Sequence, residues 1–396
     1  LVFLLFLCAG QDALATYCAG NITLTRQSQV DLFPILYPDC DSVLQLEIEG
    51  LDIRNLQGLS SLVYVRYLRI RNTSVTSMQG LNNLKKVDVG FKLESNKSLV
   101  SLSGLESFVS VRDFVIDNNN ELVTFKELSK FIMIKSIYII NNDRIKSVDI
   151  SLLNDTLSRI VIVNNDLLEN IDSLRNVKHV SELRLESNPE LSSLLGLSSL
   201  ISITDEFVFS ANDKIVNLDN LNNLNFVGDL RITHSKLKNL TGIKNLKKAN
   251  SFFSFHNNEL VSLTGLEGLD TLSSITLMNN PVLKDLKGIG NVKYLNSLLV
   301  SSCDSLLDMD GLGGLEYCSG LSIKYNLSLK TLFGLNKDID VNYVQINYNP
   351  VLQCCYVAKL ILDNNPDSEY NSITNNDSGC NSIPEVMILT PTTTCC

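Results

Sequence analysis

From Leu46 to Val351 the chain repeats itself about every 23 residues, fourteen times, with no insertion longer than one residue. Each unit opens on a pair of apolar positions separated by one residue: Leu46/Ile48, Leu68/Ile70, Phe91/Leu93, and so on to Leu321/Ile323 and Val344/Ile346. The intervals between successive pairs are all 22, 23 or 24 residues. Self-similarity at such a period means a stacked solenoid, because one unit is too short to bury its apolar face except against its neighbours. At 396 residues an ordinary chain would divide into two or three domains, but an unbroken period predicts one.

The unit running from Glu182 to Ile203 shows the pattern cleanly. Leu183 and Leu185 alternate with Arg184 and Glu186, the period of two of a strand with one buried face. Then Leu191, Leu194, Leu197, Leu200 and Ile203 recur every third residue. That spacing suits tight 3₁₀-like turns and extended corners, not an α-helix, whose buried stripe needs a period of about 3.6. The expected fold is therefore mainly β: a right-handed solenoid of about fourteen coils with one long parallel sheet. A glycine precedes the third apolar position of many turns, as in Gly58, Gly80, Gly104, Gly196, Gly242 and Gly265, and is expected to relieve a tight bend.

Three residues past the second strand position, ten of the fourteen units carry asparagine: Asn96, Asn119, Asn142, Asn165, Asn188, Asn212, Asn258, Asn280, Asn326 and Asn349. Leu51, Thr73, Ser235 and Cys303 are the exceptions. A parallel stack turning out of each strand leaves buried backbone groups, which an inward carboxamide can satisfy on its own coil and the next. Asn141, one residue ahead of this register, is expected to be exposed and dispensable.

This unit, L-x-L-x-x-N-x-x-L-x-x-L-x-G-L-x-x-L-x-x-V, resembles the receptor L-domain of insulin- and EGF-receptor ectodomains. It is similar also to the repeats of fungal cell-wall glycoproteins and, more loosely, to internalin-type leucine-rich repeats. The likeness covers roughly residues 17–355 and is specific for architecture, not for function. Receptor L-domains have about half as many coils and flank a cysteine-rich module, which this chain lacks.

Residues 1–15 read as a signal peptide truncated at its start: an apolar run too short to span a bilayer, then the small residues Ala13-Leu14-Ala15. Residues 16–43 form an N-terminal cap, 44–352 the solenoid, and 353–396 a C-terminal cap with a Thr/Pro-containing tail. Secretion, or display at the cell surface, follows. Removing residues 1–15 takes away one acidic charge, Asp12, so the net charge moves from −10 to −9. An acidic, evenly mixed surface excludes nucleic acid as a partner, and nothing in the sequence points to membrane insertion.

The same compartment permits disulfides. Cys18 and Cys40 bracket the N-terminal cap and are expected to bridge. Cys354, Cys355 and Cys380 lie where a C-terminal cap is needed, and with Cys395 and Cys396 their pairing stays open. Cys303 and Cys318 occupy buried registers and read as unpaired core residues. Of seven N-glycosylation sequons, those at Asn96 and Asn326 fall in the inward register and should be inaccessible. Asn21, Asn72, Asn154, Asn239 and Asn376 are the expected acceptors.

Catalysis finds no support. The three histidines, His179, His234 and His256, sit in three different registers, two expected at exposed corners and one on the sheet. Solenoid enzymes that cut polysaccharides need carboxylates facing one glycosidic bond from consecutive coils, and no such column exists. No metal-finger spacing or phosphate loop occurs, so no cofactor or metal is expected.

What remains is binding through the outward strand positions. Coils one to three present Glu47, Glu49, Arg69, Arg71, Lys92 and Glu94, opposite charges that should neutralise one another. Coils four to six present Val115, Tyr138, Ile140, Val161 and Val163, with Val208 two coils on, an apolar patch on an otherwise polar sheet. Phe252, His256, Met278 and Leu299 form a second candidate cluster. The expected function is a non-enzymatic extracellular recognition module taking a protein or glycan ligand. The competing expectation is a structural or adhesive surface glycoprotein without a single ligand site.

Overall fold

The computed structural model describes residues 17–128, 133–150, 155–364 and 368–390. The expected signal peptide, the sequon at Asn154, Cys395 and Cys396 lie outside the described residues.

Fourteen coils stack in chain order. Their strands begin with Ser42–Glu49, Tyr64–Arg71, Lys86–Glu94 and Ser110–Asp117, and end with Tyr294–Ser301, Tyr317–Lys324 and Asp340–Asn347. Each pairs in parallel with the next, so that Leu46 lies beside Leu68, Leu68 beside Phe91 and Phe91 beside Phe114. With a cap strand at each end and a two-residue strand at Lys248–Ala249, they make one seventeen-stranded sheet. Crossovers joining parallel neighbours run right-handed. The chain is thus a leucine-rich-repeat-like solenoid.

The core follows the period. Both strand positions of every coil are buried, and so are the every-third positions Leu191, Leu194, Leu197, Leu200 and Ile203. The latter line short 3₁₀ turns such as Leu195–Leu197 and Asp219–Leu221. Larger side chains interlock between coils: Phe91 meets Phe108 edge-on at 5.5 Å and Phe114 at 5.4 Å.

The glycines do more than relieve bends. A Cβ on Gly196 would stand 1.9 Å from the Ile171 carbonyl oxygen, and one on Gly104 2.1 Å from that of Met78, each on the preceding coil. Only a hydrogen lets the turn backbones approach this closely, and Gly104 also adopts a φ of +108°.

Each ladder asparagine works backwards, toward the preceding coil. Asn188 is fully buried; its amide nitrogen donates to the Ile162 carbonyl at 3.0 Å, and its oxygen accepts the Asn165 backbone N–H. The arrangement recurs at Asn96, Asn119, Asn142 and Asn165. Thr73 and Ser235 join through their hydroxyls, donating to Asn96 and Asn258. The expectation that the amide would serve backbone groups of its own coil and the next is corrected: its backbone partners lie on its own coil and the previous one, and it reaches the next coil only through the carboxamide oxygen of Asn212.

The residue before the ladder position is itself constrained. From Asn72 to Tyr348 it holds a left-handed backbone in every coil, mostly as asparagine or serine. Asn141 has φ 55° and is half-buried; its amide donates to Asp117 and accepts from Asn164. Its expected exposure is therefore corrected, because the turn out of the strand uses both its backbone angle and its side chain.

Both ends are closed. A strand at Ala19–Leu24 pairs with the first coil, a helix at Gln27–Leu36 (α1) buries Val30 and Phe33 over it, and Cys18 is bridged to Cys40. At the other end, a helix at Tyr356–Asn364 (α2) buries Ala358, Ile361 and Leu362. The strand Ser372–Thr374 pairs with coil fourteen, and Cys355 is bridged to Cys380. Cys303 and Cys318 are buried and unbridged, and burial pushes both thiols up to about 12. Thiols held neutral in this way act as core packing.

Candidate functional site

Alternation along each strand decides which side chains leave the sheet, and the parallel register lines them up coil by coil. The outward column between the two buried positions reads Glu47, Arg69, Lys92, Val115, Tyr138, Val161, Arg184, Val208 and Arg231. The column at the strand end reads Glu49, Arg71, Glu94, Asp117, Ile140, Val163 and Glu186.

On the first three coils the charges pair as expected, Arg69 with Glu94 and Arg71 with Glu49, each at 2.6 Å. Coils four to six then bring together Val115, Tyr138 and Val161 on adjacent strands, with Ile140 beside Val163. Val115, Tyr138, Ile140 and Val163 are half-buried. The Tyr138 hydroxyl accepts a hydrogen bond from Arg159 at 3.3 Å, which holds the ring down on the strand.

Two of the six expected patch residues stand differently. Val161 is only 7% exposed, covered between Tyr138 and Arg184, and so floors the patch without presenting a face. Val208, also 7% exposed, does not belong to the patch. Its strand neighbours are Arg184 and Arg231. Those guanidiniums, with that of Arg159, are tied into a charge network: Arg184 to Glu186 at 2.6 Å, Arg231 to Glu206 at 2.8 Å and Arg159 to Glu182 at 3.0 Å. This network fences the apolar zone on one side, and Lys92, Asp113 and Asp117 fence it on the other. Strand alternation alone reads outward as exposed, and long neighbouring arginine stems overturn that.

The second cluster is looser than the first. Only His256 and Met278 are strand neighbours; Phe252 lies beside Ser274, and Leu299 between Thr276 and Ser322. Burial, and then the charge of His234, depress the His256 pKa, which keeps the ring neutral. His179 meets Ser202 at 2.9 Å at the start of its strand and is half-buried, not an exposed corner as expected. Among the described residues no three His, Cys, Asp or Glu side chains cluster as metal ligands would. Nor is any helix among them long and apolar enough to cross a membrane.

The sequons divide by register. Asn96 and Asn326 are fully buried, with amide nitrogens donating to the carbonyls of Ile70 and Val300. Asn21 and Asn72 are exposed and Asn239 is half-buried. Asn376 departs from its expected role as a glycan acceptor, because it is a further rung of the ladder inside the C-terminal cap. Its oxygen accepts the Asn349 N–H at 2.9 Å, and its nitrogen donates to Ile346 and Cys380 at 2.8 and 2.9 Å. Glycosylation would remove one of those donors. The spacing from Asn349 is 27 residues, which is why the period did not reveal it.

No family model matches the chain, and no curated protein matches it in sequence. Among solved structures it is similar to a leucine-rich repeat protein from Bacteroides thetaiotaomicron, at 14% identity and a TM-score of 0.42. That match covers 78% of this chain but 46% of the Bacteroides protein, so the chain spans about half its length. It is similar also to an internalin from Listeria monocytogenes, at 15% identity and a TM-score of 0.35, covering 75% of this chain and 84% of the internalin.

Proposed function

We propose that the chain is a non-catalytic extracellular recognition module of the receptor-L-domain kind, taking a protein or glycan ligand on its sheet. The observation that carries this reading is the contiguous apolar zone of Val115, Tyr138, Ile140 and Val163, floored by Val161, on three adjacent strands. An apolar centre ringed by charges is how recognition surfaces exclude water around a few anchoring side chains. Tyr138, amphipathic and already oriented by Arg159, is the anchor. Two disulfides closing the ends support an oxidising, extracellular setting.

The test places a photo-crosslinking phenylalanine analogue at position 138 and, as a control, at exposed Leu195 in the 3₁₀ turn of coil seven. Each protein is applied to the surface of cells of the source organism. A discrete adduct from position 138 alone supports a ligand site on the sheet. Equal adducts from both positions, or none from 138, would favour a structural glycoprotein without such a site.

A further inference from the structure

The corner where each strand ends holds a second surface, independent of the apolar patch. Its residues are those with left-handed backbones, a register that favours asparagine because its short polar side chain tolerates positive φ. In coils thirteen and fourteen the register is filled instead by Tyr325 and Tyr348, at φ 57° and 59°. Neither ring is needed by the core. Both are about half exposed, at 49% and 45%, and they stack on each other with centroids 4.7 Å apart and planes within 10°.

One coil further back the register holds Ser302, too small to cover the outer face of Tyr325. There the corner opens into a groove of about 390 Å³, lined by Asn257, Glu259, Asn279, Pro281, Ser302 and Asp304. Tyr325 follows Ser302 in the same corner column, one coil on. The groove itself offers the ring of Pro281 and several hydrogen-bonding side chains, with the half-exposed ring of Tyr325 just past Ser302. Glu259 is paired with Lys238, and Asp304 has no ion-pair partner among the described residues.

We propose that this groove binds an uncharged sugar ring, stacked on Tyr325 as the next member of the tyrosine stack. The carbon-bound hydrogens on one face of a pyranose match an exposed aromatic face. The sugar's hydroxyl groups, which both donate and accept, match Asn279, Ser302 and the Asp304 carboxylate. The Asp304 carboxylate on the rim, with no cation paired to it among the described residues, repels an anionic sugar, which selects for a neutral one. The coil spacing of about 4.8 Å is comparable to the length of one hexose, so a glycan chain running along the corner would meet one coil per residue.

Isothermal titration calorimetry reads binding without relying on emission that all twelve tyrosines of the chain would share. The probes are the methyl glycosides of glucose, mannose, galactose and N-acetylglucosamine, their linear tetrasaccharides, and methyl glucuronide as the anionic comparator. At least one neutral probe should give a saturable binding isotherm, and glucuronide should not. Tyr325→Ser, which installs the residue that coil twelve carries in this register, should weaken that binding by about tenfold or more. Asp304→Ala leaves the tyrosine pair in place and should weaken it as well, so a folding defect in the first variant cannot decide the matter. Absence of saturable binding by every neutral probe, wild-type affinity in both variants, or capture of a polypeptide at this corner without any sugar would overturn the proposal.

Discussion

The carboxamide oxygen of Asn188 accepts the backbone N–H of Asn165, one coil earlier, at 3.2 Å. The same side chain donates to Ile162 and Glu186, each at 3.0 Å, so a single residue closes the turn between two coils. Asn188→Ala strands those groups in the interior and should cost about 1–3 kcal/mol. Thermal unfolding without ligand would show it as a clear fall in Tm, and an unchanged Tm would refute the ladder's energetic role.

Asn141 separates two effects that its sequence position conflates. Asn141→Ala should cost about 1 kcal/mol, because a Cβ without a polar partner sits poorly at φ 55°. Asn141→Gly should recover most of that loss, since glycine accepts the angle freely. If Gly were no better than Ala in the same melting experiment, the side-chain hydrogen bonds to Asp117 and from Asn164 would be the dominant contribution.

Close approach between coils predicts its own cost. Gly196→Ala pushes a methyl group against the Ile171 carbonyl and should destabilise by about 1–3 kcal/mol or more. Gly20→Ala meets nothing within 4 Å and should leave Tm nearly unchanged. Equal melting temperatures would argue against tight turn-to-turn packing.

Glycan occupancy tests the register chemically. Expression through a secretory pathway followed by glycopeptide mass spectrometry should find glycans among Asn21, Asn72 and Asn239, and none on Asn96, Asn326 or Asn376. A glycan on Asn376 would remove one of its two bonds to Ile346 and Cys380, and high occupancy there would mean that the C-terminal cap is built differently.

Much of this architecture is legible in the sequence because the solenoid repeats one local solution. A buried pair such as Leu183 and Leu185 needs the same neighbours in every coil, so the pattern recurs and exposes itself. The carboxamide register was visible for the same reason. Aperiodic features were not: Asn376 completes the ladder only after α2 has interrupted the spacing. Outward strand positions were legible as directions but not as exposures. Val208 and Tyr138 occupy the same column, yet two arginine stems cover the first and leave the second half open. The stacked Tyr325 and Tyr348 were hidden because a tyrosine before the ladder position carries no sign in one dimension that it meets its counterpart 23 residues on.

The recognition account rests most directly on the apolar zone of coils four to six. Once a partner is captured through position 138, its affinity for the wild-type chain should be compared with that for Tyr138→Ala combined with Val161→Ser. Both substitutions leave the ladder and the inward core untouched, so the fold should stay intact, with a modest fall in Tm from the buried apolar surface lost at Val161. The account predicts binding weaker by about tenfold or more, as expected for loss of a central aromatic anchor and the floor beneath it. Unchanged affinity in a folded double variant would contradict it.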